Sequence, residues 1–267
     1  MKSLIYVINE NYTNIYRIFS ITKYEIIEDN RDSRLGILWK IIDPLMQIFA
    51  YWFAFGVGIR GGKDVNGIPY INWMLAGIVS WFFLSASIRN GVNCIHKKTN
   101  IITKMKFPIS ILPTIEIAKQ VFNHIFMLAI VYIFLLLNGT DIRIQNLNVI
   151  YYLFCGIAFS ISFSMVLSVL NMFTRDIKKM VNASMRLLMY VTPILWTMDK
   201  LTVNIQNLMK LNPLYYIVEG YRNSFFSNVS ILERYNELII FWSIVIGLFI
   251  LGSILMYKFK QKFIDLI

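Results

Sequence analysis

Charged residues fall in blocks along this chain, and long stretches carry none. No Asp, Glu, Lys or Arg lies between Asp43 and Arg60, Asp64 and Arg89, Lys119 and Asp141, Arg143 and Arg175, or Glu237 and Lys258. A hydrocarbon core about 30 Å thick is crossed by roughly 20 helical residues, so each gap houses one span, the first by taking residues upstream from Leu35. A weaker apolar stretch, residues 180–198, is interrupted by Arg186 and Pro193. It is kept as the fifth span in order, because a carbonyl freed by proline is tolerated where neighbouring helices or water satisfy it. The pattern predicts an all-α integral membrane protein with six transmembrane helices.

The flanks add three expectations. In residues 1–34, Tyr12, Ile15, Tyr16, Phe19, Ile26 and Ile27 alternate at helical spacing with Arg17, Lys23, Glu25, Glu28 and Asp29. This predicts an N-terminal amphipathic helix on the cytoplasmic face, resting either on lipid or on a partner protein. The apolar opening from Leu4 to Ile8 is too short for a cleavable signal, and no small-residue cleavage pattern follows it. Within residues 199–236, the segment Leu208 to Tyr221 (LMKLNPLYYIVEGY) is too apolar for a free loop and too short to cross. With Asn212 as N-cap and Pro213 at the first helical position, it predicts outer re-entrant helices between spans five and six. No repeat, linker or soluble domain is visible, so residues 1–267 read as one membrane domain, with spans one to five in 35–198 and the sixth in 237–257.

Composition supports the membrane class and supplies an orientation. The chain is 57% hydrophobic and 15% charged, against roughly 45–50% and about 25% for soluble domains. A net charge of +11 invites a nucleic-acid reading, but the placement of the charges removes it. With six spans, nineteen of the 26 Lys and Arg lie on the side of the termini and seven on the other. The basic side, and with it both termini, is predicted to be cytoplasmic. Dropping the weak span would put Lys258, Lys260 and Lys262 outside, so the charge rule itself argues for keeping it.

Candidate catalytic chemistry is sparse. Cys94 and Cys155 are far apart and lack any CxxC or Cys/His ligand spacing, which argues against a disulfide scaffold or a zinc site. Gly62-Lys63 is followed by Asp64 and preceded at P-loop distance by Val57, so the phosphate cradle of an ATPase is missing. His96 and His124 stand without acidic or metal-ligating company, and a polar residue near a helix end is more often hydrogen-bonded than catalytic. No cofactor is expected in this chain. A membrane-embedded lipid-modifying transferase would need acid, base or metal groups that the sequence does not supply.

Several strings in order resemble the membrane subunits of ABC-2 type polysaccharide exporters. They are Ser33-Arg34-Leu35-Gly36-Ile37-Leu38-Trp39 with Asp43-Pro44, Phe55-Gly56-Val57-Gly58-Ile59-Arg60, Trp81-Phe82-Phe83, Lys104-Met105-Lys106-Phe107-Pro108, Pro193-Ile194-Leu195-Trp196, and Asn212-Pro213 through Glu219-Gly220-Tyr221-Arg222. Within that family the likeness is greatest to the wall teichoic acid translocation permeases of Gram-positive bacteria. The resemblance implies a half-transporter of the cytoplasmic membrane that forms a homodimer and pairs with two copies of a separate ABC ATPase, which holds ATP and Mg. It implies export of an undecaprenyl-linked anionic glycopolymer, wall teichoic acid, with capsule, O-antigen or a drug as the alternative cargo. It also places a coupling helix for the ATPase at Lys97 through Pro113, with Met105 and Phe107 as apolar contacts, Pro108 as the stop, and Lys104 and Lys106 beside them. Arg175 and Asp176 form a second contact between spans. The plain alternative for both segments is a basic inner loop obeying the charge rule.

Path residues are harder to read from spacing. Trp73, Trp81, Phe82 and Phe83 lie at or near span ends, where an aromatic belt is the ordinary explanation; rings would also suit a sugar polymer, whose C–H faces slide over them. On the outer side, Glu219 precedes Arg222 by three positions, a helical pairing distance. Arg222 and Arg60 therefore either satisfy local partners or meet phosphate near the exit.

Overall fold

The computed structural model describes residues 2–29, 36–102, 107–141 and 143–260. Of the residues singled out above, Ser33 to Leu35, Lys104, Met105, Lys106 and Lys262 lie outside the described residues. The helices are α1 (Lys2–Thr13), α2 (Ile15–Glu28), α3 (Trp39–Tyr51, continuing as a wider π-type coil over Trp52–Ile59) and α4 (Tyr70–Gly91). Then come α5 (Cys94–Lys97), α6 (Thr99–Ile102), α7 (Leu112–Leu137), α8 (Asn148–Phe173) and α9 (Asp176–Val191). The chain ends with α10 (Val203–Lys210), α11 (Pro213–Phe226) and α12 (Tyr235–Phe259). Among the described residues the only extended pairing is a bridge between Val65 and Ile68. Asn66 (φ 51°) and Gly67 (φ 80°) close it as a tight mirror-type turn, which joins α3 to α4 with little chain.

Among the described residues five helices are long and apolar enough to cross a membrane: Trp39–Ile59, Tyr70–Gly91, Ile109–Leu137, Ile144–Phe173 and Ile231–Phe259. They coincide with the charge-free gaps. The weak span differs from expectation, because α9 has 16 residues and reaches about 24 Å at 1.5 Å per residue. It stops at Val191 rather than continuing to Met198. The residue before a proline is pushed out of the helical region, and Thr192 accordingly adopts φ −72°, ψ 136° ahead of Pro193.

The core is built around α4. Of its apolar window 83% is buried, against 11% for α3. Helices α7, α8, α9 and α11 all pack on α4, and Ala76, Ser80, Ser85 and Ser87 lie buried on it. Lipid gives apolar surfaces no hydrophobic reason to leave it, so helices associate where small side chains let backbones approach closely. Helix α3 stands away from this core, and Leu45, Met46, Phe49 and Phe53 remain exposed along it.

One end of the bundle collects the N-terminal helices together with Lys98, Lys119 and Lys260. There α1 packs on α12, with Tyr6 and Tyr257 edge to face at 5.4 Å, and α2 packs on α7. The inward residues of this pair are Val7, Ile18, Thr22 and Glu25. Much of the apolar set read from the sequence faces the other way: Tyr12, Ile15, Tyr16, Phe19 and Ile27 are exposed.

Candidate functional site

Three helices enclose a cavity of about 480 Å³ in the half of the bundle nearer the basic end, and each contributes residues at helical spacing. Asp43, Gln47 and Tyr51 come from α3; Trp81, Phe82, Ser85 and Arg89 from α4; Arg186 and Tyr190 from α9. Arg186 and Tyr190 are exposed, whereas Trp81 is fully buried and Phe82 half-buried. Arg89 and Arg186 are neighbours of like charge, and the Nε of Arg89 is buried without a hydrogen-bond partner. On the other flank of α3 a second cavity of about 490 Å³ is lined by Lys40, Phe82, Phe83, Gln120, Asn123 and His124 among others, and shares Asp43 and Pro44 with the first. The Nζ of Lys40 is buried there without a hydrogen-bond partner. His124 bonds Tyr221 (Nε2 to Oη, 2.8 Å) and lies 4.8 Å from the Phe83 ring, which places it in the packing between α7, α4 and α11.

The residues expected near the exit have partners already. Arg222 is 3% exposed; its Nη1 donates to the Pro193 carbonyl at 2.8 Å and to Glu219 Oε2 at 3.1 Å, and Nη2 donates to the Ile194 carbonyl. Its guanidinium carbon lies 3.6 Å from the centre of the Trp73 ring, so that ring face is covered. Burial pushes the Arg222 guanidinium below its ordinary range, and Glu219 opposes that shift. The turn that ends α9 is thus capped by a side chain from α11, with Asn212 Nδ2 donating to Thr192 Oγ1 at 3.2 Å beside it. Asn212 also caps α11, accepting from the Leu214 N–H at 3.0 Å. Arg60 donates to Thr197 Oγ1 at 3.1 Å and leans over the Tyr70 ring at 5.4 Å, while Tyr70 Oη donates to the Leu195 carbonyl at 2.8 Å.

At the basic end a buried ion network ties α2 to the segment after α4. Glu25 meets Lys98 at 2.6 Å and Lys119 at 3.5 Å; Lys119 also meets Asp29 at 3.0 Å and Glu116 at 4.0 Å; Glu116 meets Lys97 at 3.5 Å. Of the expected coupling segment, Phe107 is half-buried and packs on the chain's own apolar cluster, which includes Val7, Ile18, Ile95 and Ile109. Pro108 is half-buried next to it. Arg175 and Asp176 are exposed in the turn between α8 and α9, with Asp176 paired to Lys179 at 3.0 Å.

Comparison with known proteins decides the family: residues 16–226 match the model of the ABC-2 type transporter. The chain belongs to that family. It is 25% identical, over 92% of its length and 93% of the relative's, to an O-antigen export system permease protein RfbA of Klebsiella pneumoniae. A protein of the same name from Myxococcus xanthus is 23% identical over 84% of this chain and 86% of its own. Their names specify O-antigen export and not teichoic acid, so the family reading holds while the teichoic acid assignment gains no support from them.

As an ABC-2 membrane subunit, the chain is a transport component that works with a separate ABC ATPase. Two features of this ABC-2 chain were out of reach of the sequence reading. Arg89 and Arg186 read along the chain only as a charge that ends a gap and one that interrupts the weak span, although their spacing from Ser85 and Tyr190 puts them on cavity faces. The Glu25 network joins residues up to 94 positions apart, and nothing local announces it.

Proposed function

We propose that this chain is the membrane half of an ATP-driven exporter of a lipid-linked polysaccharide, acting as a homodimer with two ATPase subunits. The observation that carries the reading is the cavity between α3, α4 and α9, where ring faces stand beside two guanidinium groups and where α3 and α9 leave their outer faces uncovered. Rings suit the C–H faces of sugars, and guanidinium suits an anionic carrier. The names of the relatives support polysaccharide as the cargo. Wall teichoic acid, a phosphate-rich polymer, is the finer alternative and rests on the sequence strings alone. In this reading both termini are cytoplasmic, α9 together with the turn after it serves as the fifth crossing, and α10 and α11 fold back from the outer face. The segment through Phe107 and Pro108, with the Arg175–Asp176 turn, lies against the ATPase.

The test is to express the chain with its ATPase in cells that lack their own exporter but make a lipid-linked polysaccharide or a lipid-linked polyol phosphate. Surface polymer should appear with one of the two and depend on ATP hydrolysis. No surface polymer from either, with both subunits present in the membrane, rejects the reading.

A further inference from the structure

We propose that Arg89 and Arg186 form a phosphate-recognition site within the cavity between α3, α4 and α9, holding a phosphate ester of the exported lipid-linked polymer. The inference rests on the export reading above and adds the group by which the cargo is held.

The contrast among the arginines carries it. Arg222 ends on Glu219 and two carbonyls, and Arg234 ends on Glu237 and the Tyr216 carbonyl. Those forks are spent on the protein itself. Arg222 and Arg89 each keep a buried Nε without an acceptor, but the two Nη groups of Arg222 are bonded, whereas Arg89 has no bonded acceptor among the described residues and its charged neighbour across the cavity is another arginine. An unmet buried donor costs free energy, and so does a like-charged pair; an anion seated between them relieves both. Phosphate fits this role because its oxygens accept bidentate bonds from a planar guanidinium. Among the described residues Asp43, exposed on α3, is the only carboxylate on the cavity wall and leaves the pair with an excess of positive charge. The other titratable groups facing the space, Tyr51 and Tyr190, can donate as neutral hydroxyls.

Position agrees with chemistry. Arg89 lies in the last turn of α4, at the basic end where a headgroup would sit, and Arg186 is exposed on α9. Trp81 and Phe82, about two turns earlier on α4, line the same space. A phosphate at the pair therefore leaves the attached sugar beside rings.

The experiment uses the full chain with its ATPase in lipid nanodiscs and measures binding of polyprenyl diphosphate, the uncharged polyprenol, and a soluble oligo(glycerol phosphate). The wild-type complex should hold the diphosphate at least tenfold more tightly than polyprenol. Arg89→Gln with Arg186→Gln should erase that preference, and the two Lys replacements should keep part of it, because they retain charge without the fork. Competition by oligo(glycerol phosphate) assigns the site to phosphate in the polymer; its failure to compete assigns it to the carrier lipid. Equal binding of diphosphate and polyprenol by the wild-type complex overturns the inference, as does a double Gln variant that still co-elutes with the ATPase and keeps the preference. Should that variant not assemble, the wild-type comparison decides alone. Surface export with phosphate-indifferent binding removes the site and spares the export reading; phosphate-dependent binding without export does the reverse.

Discussion

Gly77 and Arg222 form a lock in which neither residue can be exchanged alone. A Cβ at Gly77 would stand 2.7 Å from Arg222 Nη2, and the guanidinium cannot retreat because two carbonyls and the Trp73 face hold it. Gly77→Ala should therefore destabilise the protein by about 1–3 kcal/mol through overpacking. Arg222→Ala should cost more, about 3–5 kcal/mol, since Glu219 and two turn carbonyls lose their donor. Removing Glu219 as well does not repair this, because the Pro193 and Ile194 carbonyls stay bare. In the Arg222→Ala background the Gly77→Ala penalty should largely vanish, and thermal unfolding of the four proteins in detergent reads that coupling. Additive shifts would break the lock. The sequence placed Glu219 and Arg222 at pairing distance, but the carbonyls come from a turn 28 and 29 residues upstream, and no helical spacing reports that.

Cys94 offers a simpler test at the same scale. It is 3% exposed, and burial pushes its thiol up to about 12. A raised thiol keeps the neutral, unreactive form until pH nears that value, so the native protein should resist maleimide at pH 7 to 9 and react fully once unfolded in SDS. Fast labelling of native Cys94 at pH 7, followed by mass spectrometry of the peptide, would contradict the burial described.

Among the elements, α2 depends on charge more than its apolar residues suggest. Its inward face carries Thr22 and Glu25 along with Ile18, while Tyr16 and Phe19 point outward at 83% and 66% exposure. The helix is held chiefly by Glu25 and Asp29 reaching Lys98 and Lys119. Lys119→Ala removes a cation that three carboxylates share, at a cost of about 3 kcal/mol for a largely buried network. Trypsin should then cut faster after Arg17 and Lys23, both exposed on α2, while cleavage within the long spans stays slow. An unchanged rate would show that packing of Ile18 alone secures the helix. Periodicity marks α2 as an amphipathic helix, and its apolar stripe is left uncovered, as a face that rests on lipid or on a partner would be. Here the stripe faces outward and an ion pair takes the inside. The five long spans were legible because lipid excludes charge over a fixed length. The end of α9 was less so: Pro193 marked a break without saying what satisfies it.

For the whole molecule, the proposed orientation, with both termini cytoplasmic, rests on the charge rule. Cysteine introduced at Asn66, in the turn between α3 and α4, or at Asn207 in α10 should react with an impermeant reagent on intact cells, and one at Gln261 should not. The opposite pattern would invert the protein in the membrane. The bundle has a well-packed side, where α4, α7, α8, α11 and α12 meet, and an open side, where α3 and α9 border the cavities. Under the export reading proposed above, the open side would carry the path, since a polymer cannot pass through the packed core of a single copy.

The loose seating of α3 bears on the lifetime of the chain before it finds its partners. A single copy entering the bilayer holds one strut almost wholly by lipid, with Pro44 inside it and a π-type coil at its far end. Such a strut can tilt or slide out of register where the others cannot, and an unassembled copy carries its least secure helix in full view of membrane proteases. If the chain forms the dimer proposed above, supply of a second copy and of the ATPase would set how much of the protein a cell retains, making assembly the step that fixes abundance.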